Sequence, residues 1–347
     1  DHWVRAFDLD SGRELYRIRP LGGRAAVFGV SADGSKLLIG DQAVGRTTVM
    51  WVEPRTGEEL MRGEIVSPND MVTTFGVSPR GDVIAFATHD GTIGFMDAAT
   101  LKVVDTRTVK HDRSIFRMVF SADGRYLATS SAMVSLQVTD VDKRQRVSLI
   151  SGTQSAFNQI AFSPDGTQLA GAHDDGVLKV YDPLTGRVLS SLRGHTSSVF
   201  GVVYSPDGHT IISGGGDGTL RRWDASPEPD NPVAMMGNWP QCLAVSADYS
   251  TLAAGLANGE LRLCDPGTGA TRKSITFTLP SGLKGPWGVS FSRDGKVLAA
   301  TCGDGSVRIV DVVKGLEERS ISSAHTGRAL NSRFSADGKL LYSTGDD

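Results

Sequence analysis

At 347 residues, with 39% hydrophobic and 22% charged side chains, the chain is long enough for a large core and composed like a soluble globular protein. A formal net charge of −3 argues against a dedicated nucleic-acid binder, which carries a strongly basic surface. No run of roughly 18 apolar residues is present to span a membrane, and no secretory leader is visible.

The first residues, "VRAFD" and "ELYRIR", read as two short strands joined by a Ser-Gly turn. A marker then recurs, Ser-x-Asp-Gly or a close relative, at Ser31, Ser78, Ser121, Ser163, Ser205, Ser246, Ser292 and Ser335. The steps run from 41 to 47 residues. Each marker is a tight turn, because Asp bonds its own downstream backbone and Gly tolerates positive φ. In the clearest unit, 194–224, the runs "SVFGVVYS", "HTIISG" and "TLRRWD" flank the turns "SPDG" and "GGGDG". The third run of a unit closes on Asp8, Asp97, Asp140, Asp182, Asp224, Asp265 or Asp311, while Glu53 stands there in the first full unit. A fourth run follows a Thr-Gly type turn, as in "TGEEL" and "TGRVL". Two connections depart from the period: the proline-rich "ASPEPDNPVAMMGN" after Asp224, read as a bulging loop, and "TFTLPSGLKGP" from Thr276.

A period of about 40–45 residues with four strands is that of one propeller blade. The pattern "GH … SPDG … DG … WD" in 194–224 resembles the WD-repeat signature, and the chain as a whole is similar to divergent, bacterial-type WD40 arrays. The resemblance implies an all-β, eight-bladed WD-repeat β-propeller with four antiparallel strands per blade. The chain starts on the third and fourth strands of a unit and ends on a first and a second. Paired, they make one blade and leave no bare edge. The expected layout is a single domain, 1–347, with blades at about 24–66, 67–110, 111–152, 153–194, 195–237, 238–278, 279–323, and 324–347 with 1–23. The alternative is a seven-bladed ring plus one repeat of a longer array.

In such repeats the resemblance implies a hydrogen-bonded chain of His, Ser or Thr, Asp and Trp. Only one unit is read as carrying the whole set, His195, Ser213, Asp217 and Trp223, and these are expected to be structural rather than catalytic. The last unit keeps His325 and Asp347 but offers Phe7, which has no indole N–H. Elsewhere the set is read as mostly missing. Cys242, Cys264 and Cys302 are far apart, without metal or disulfide spacing, and are expected to be buried free thiols in a reducing, cytoplasmic setting. No nucleophile-elbow, zinc-helix or phosphate-loop motif occurs, so no cofactor, metal or catalytic residue is expected.

The residue five before each marker opens the first strand of its unit: Ala26, Thr73, Phe116, Asn158, Phe200, Gln241, Trp287 and Leu330. The resemblance places that position on the face that meets peptides. Phe116, Arg117, Asn158, Phe200, Gln241, Trp287 and Asn331 are therefore the candidate partner-binding residues, with His89 and Asp174 from turns near the same face. The expected function is a non-catalytic scaffold or sensing domain for protein or peptide partners, monomeric and part of a larger signalling or regulatory protein. A rival reading rests on "VRAFDLDSGRELY", which resembles blades of quinone-dependent dehydrogenases, also eight-bladed. Those enzymes carry a Trp after the turn, a Ca²⁺ site and often adjacent cysteines, and this chain lacks the Trp and the cysteine pair.

Overall fold

The computed structural model describes residues 4–8, 13–18, 24–43, 45–67, 70–111, 114–131, 135–151, 155–225, 231–235, 238–280, 285–322, 324–335 and 337–346. Among them there are strands and turns but no helix. The strands form eight four-stranded sheets. Seven are simple meanders in chain order, here sheets one to seven, within 24–67, 72–110, 115–150, 157–193, 199–235, 240–276 and 288–321. The eighth joins the two ends of the chain. Val4–Asp8 lies between Glu14–Ile18 and Leu340–Gly345, and Ala329–Phe334 completes the sheet. Val4 pairs with Thr344 and Asp8 with Leu340, so the unit expected from head and tail is one continuous antiparallel sheet.

The marker turns explain their own sequence. In Ser31–Lys36 the Ser31 hydroxyl donates to Asp33 Oδ1 at 2.6 Å and accepts from the Lys36 N–H at 2.9 Å. The same clasp recurs at Ser121, Ser163, Ser205, Ser246, Ser292 and Ser335. Hydrogen bonds from Ser31 and then Ser35 hold the Asp33 carboxyl at about 2. Ser246 does the same for Asp248. Where the marker is "SADY", Tyr249 adopts the glycine-like φ of 55°, so the turn survives the loss of its glycine. Sheet two, with "SPRG", lacks the Asp, and its Ser78 hydroxyl instead accepts from the Arg80 N–H.

The chain packs as two compact units, one of 1–18, 172–178 and 192–347, the other of 19–171 and 179–191. In the second unit Leu38, Trp51, Phe75, Ile84, Phe86 and Met96 are buried between sheets one and two. In the first, Phe7, Val307, Ile309, Ala329 and Leu341 fill the space between sheets seven and eight. Each buried large side chain of this kind contributes roughly 1.5–3 kcal/mol. Trp51 is not the tryptophan of the repeat signature. Its register, opposite Leu38, sets it one residue off, and its Nε1 donates to the Ala98 carbonyl of sheet two at 2.7 Å.

One expectation is corrected. The link after Asp224 was expected to be a loop, yet it holds the fourth strand of sheet five, Asn231–Met235, paired with Thr219–Arg222. Pro232 is tolerated there because the strand is the outer one, with no neighbour needing its missing N–H. Residues 226–230, 281–284 of the other irregular link, and Asp347 lie outside the described residues.

Candidate functional site at the first strands

The histidine network is a support beneath the candidate surface. His195 is buried, with Nδ1 at 3.0 Å from Asp217 and Nε2 at 2.8 Å from the Ser213 hydroxyl. The Trp223 indole N–H donates to Ser213 Oγ at 2.7 Å. That donor fixes the direction of the chain. Ser213 then donates to His195 Nε2, and the ring carries its proton on Nδ1, facing Asp217. Burial lowers the His195 pKa below its ordinary 6.5, against the pull of Asp217, which agrees with a neutral ring. Burial raises the Asp217 carboxyl, but bonds from Thr219, the Thr196 N–H and His195 outweigh it and hold it at about 2. Such a satisfied buried chain braces the sheet and offers no free base.

A second network was missed in the sequence. His111 is buried, with Nε2 at 2.8 Å from Thr129 and Nδ1 at 2.9 Å from Ser135, and Ser135 lies 2.7 Å from Ser131. Its signal was spacing. His111 stands two periods before His195, and Thr129 follows it by 18 residues as Ser213 follows His195. Where Trp223 stands, sheet three has Thr139, so this unit keeps the histidine of the network and lacks its tryptophan. In sheet eight His325 bonds Ser343 at 2.9 Å, and buried Phe7 fills the tryptophan position opposite Leu341.

The opening residues of the first strands share one backbone device. Val199 pairs with Gly215 and Gly201 with Gly214, leaving Phe200 as an extra residue between them. The same irregularity isolates Ala26, Thr73, Phe116, Gln241 and Leu330 in their sheets. A β-bulge of this kind interrupts the ladder and re-aims one side chain. In sheet seven the ladder begins at Gly288, and the Trp287 N–H bonds the Thr301 carbonyl just outside it.

In the unit holding 19–171, Phe116 is 58% exposed. Exposed Arg117 reaches across, its Nε donating to the Asn158 carbonyl at 3.0 Å and Nη1 to the Phe116 carbonyl at 3.3 Å. Exposed His89 lies at the same end, because Ser114, next to the strand start, donates to its carbonyl at 2.7 Å. The structure thus gathers Phe116, Arg117, Asn158 and His89 at one end of three successive sheets.

In the other unit, Ser198 donates to the Asp174 carbonyl at 2.9 Å, which sets exposed Asp174 beside the start of the Phe200 strand. Phe200 is 38% and Leu330 37% exposed. Gln241 is half-buried, and exposed Asn331 uses its Oδ1 on the Ser332 N–H. Trp287 is half-buried under the Arg328 guanidinium, 5.0 Å from the ring centre, so it is part packing and part surface. Trp239, 52% exposed just before its first strand, was not singled out, because it lies two residues before the five-before-marker position.

Burial raises all three thiols above their ordinary pKa. Burial pushes Cys242 and Cys302 up to about 12, and Cys242 Sγ donates to the Pro286 carbonyl at 3.3 Å. Among the described residues no three His, Cys, Asp or Glu side chains come together as a metal cage, and no helix is long and apolar enough to cross a membrane.

The family model "WD domain, G-beta repeat" matches residues 144–182, 186–224 and 274–311. The crystal structure of the computationally designed Ika8 protein is similar at 20% identity, with a TM-score of 0.75, over 93% of this chain and 98% of that one. At that identity the likeness shows the fold alone. No curated protein matches the sequence. Each matched stretch ends on the Asp closing a third strand, Asp182, Asp224 or Asp311, and takes in residues of the preceding sheet's fourth strand. The repeat in the sequence is thus staggered by one strand against the sheet in space. With three such repeats matched and the same four-stranded order in all eight sheets, the chain is a WD40-repeat β-propeller of eight blades.

Proposed function

We propose that this propeller is a non-catalytic scaffold that holds protein or peptide partners at the bulged starts of its first strands. The observation that supports it is the bulge itself, which leaves Phe116 and Phe200 outside the ladder and exposed while the strands around them stay packed. Exposed aromatics beside Arg and Asn have the composition of contact hot spots. The reading extends to a role within a larger signalling or regulatory chain and to a reducing cytoplasm, on the support of three cysteines that remain free thiols.

Its test uses peptides selected from a random phage-displayed library on the folded propeller. Selected peptides are expected to lose roughly tenfold or more in affinity on Phe116→Ser or Phe200→Ser, about 1.4 kcal/mol or more. The melting temperature should stay unchanged, since both rings are exposed. Peptides indifferent to both substitutions would refute the proposed surface. Trp287→Ala is not the probe of choice, because removing a half-buried ring stacked under Arg328 is expected to weaken the fold as well.

A further inference from the structure

The fourth strands carry a second set of bulges, independent of the first. In sheet one Trp51 pairs with Met61 and Val52 with Glu59, which isolates Leu60. Val104 and Val147 are isolated in the same way in sheets two and three. Each stands three residues after a turn residue of positive φ, here Gly57, Leu101 and Arg144. Leu189 stands three after Gly186, φ 72°, and so occupies the same place in sheet four. All four side chains are aliphatic and exposed, Leu60 by 47%, Val104 by 58%, Val147 by 38% and Leu189 by 48%. In sheets six and seven the position holds Arg272, paired with Asp265, and Glu318, paired with Lys314. One exposed aliphatic needs no explanation, but the same exposed choice in four successive repeats does.

The charges beside this row choose its occupant. Lys102 precedes Val104 by two residues, Arg146 precedes Val147 by one, and Arg187 precedes Leu189 by two. All three are exposed and in no ion pair among the described residues, and Arg187 is near enough to Asp182 to help lower its pKa. Leu60 has Glu58 in that place, which ends the run at sheet two. Neighbouring fourth strands are held side by side. Ser148 donates to the Pro183 carbonyl at 2.6 Å, and a Cβ on Gly186 would stand 3.2 Å from Ile150. The strands are also outer edges, with main-chain groups no neighbouring strand uses.

We infer that the fourth strands of sheets two, three and four form a docking surface for an acidic segment of a partner protein with aliphatic side chains between its carboxylates. The aliphatics cover Val104, Val147 and Leu189, and the carboxylates meet Lys102, Arg146 and Arg187. This site shares no residue with the first-strand surface, so either reading can fail while the other stands.

The probe is a fluorescein-labelled synthetic 14-residue peptide of alternating Glu and Leu or Val, measured by fluorescence anisotropy, with hydrogen exchange to locate it. Saturable binding is expected in low salt, with at least a tenfold loss in 0.5 M NaCl as the charges are screened. Val104→Ser/Val147→Ser/Leu189→Ser and Lys102→Glu/Arg146→Glu/Arg187→Glu should each lose tenfold or more. Phe200→Ser should bind as the parent does. Protection should fall on 103–110, 145–150 and 188–193. The inference is overturned by no saturable binding, by equal binding of a Lys-for-Glu peptide, or by protection confined to the first strands. Self-association through these strands without peptide, seen by sedimentation, would also overturn it, since the occupant is then a second copy.

Discussion

Trp223→Ala is expected to lower the unfolding free energy by about 3–5 kcal/mol, the usual cost of removing a fully buried large aromatic. The indole is 1% exposed, and its loss leaves a cavity as well as a serine without its donor. Trp223→Phe separates the two effects. It keeps most of the ring but removes the N–H, so Ser213 Oγ loses the bond that orders the chain through His195 to Asp217. An orphaned buried group costs about 1–3 kcal/mol, and the Phe variant should fall in that range. Urea unfolding of both variants checks this. A Trp223→Phe protein as stable as the parent would mean the network contributes nothing beyond packing.

Phe7→Ala is expected to cost a similar ~3–5 kcal/mol, but for a different reason. Phe7 is 2% exposed and packs in one cluster with Val307, Ile309, Ala324 and Leu341. Its strand lies between Leu340–Gly345 and Glu14–Ile18, so truncation loosens the sheet in which both ends of the chain meet. Loss should therefore be accompanied by faster hydrogen exchange in 4–8 and 340–345, while 210–215 in sheet five stays as slow as in the parent. A uniform acceleration across all sheets would argue that the eighth sheet has no local stability of its own.

The architecture was legible because it depends on local chemistry repeated at seven of the eight markers. Ser31, Ser121 and Ser205 each orient an Asp two residues on, and that clasp leaves a visible trace at a fixed period. The junction of the two ends was legible for the same reason, since "RAFD" completes what "KLLYSTG" begins. Pairing irregularities were not. A bulge at Phe200 or Val147 exists only relative to the partner strand, and the sequence shows only an ordinary strand at both places. His111 escaped because its unit lacks the Asp and the Trp of the signature, with Ser135 on Nδ1 instead, though Thr129 and the phase were right. The strand Asn231–Met235 escaped because Pro232 reads as a breaker, and only its edge position removes the objection. The standing of Trp287 was equally hidden, since nothing along the chain says that Arg328 covers it.

These pieces rest on one arrangement, a repeat used eight times with its eighth sheet built from both ends. Native-state hydrogen exchange of the intact chain, read at 4–8, tests it most directly. The amides of Val4–Phe7 should exchange as slowly as those of Leu341–Thr344, because each strand supplies the other's hydrogen bonds. Fast exchange at 4–8 beside slow exchange at 340–345 would contradict the arrangement.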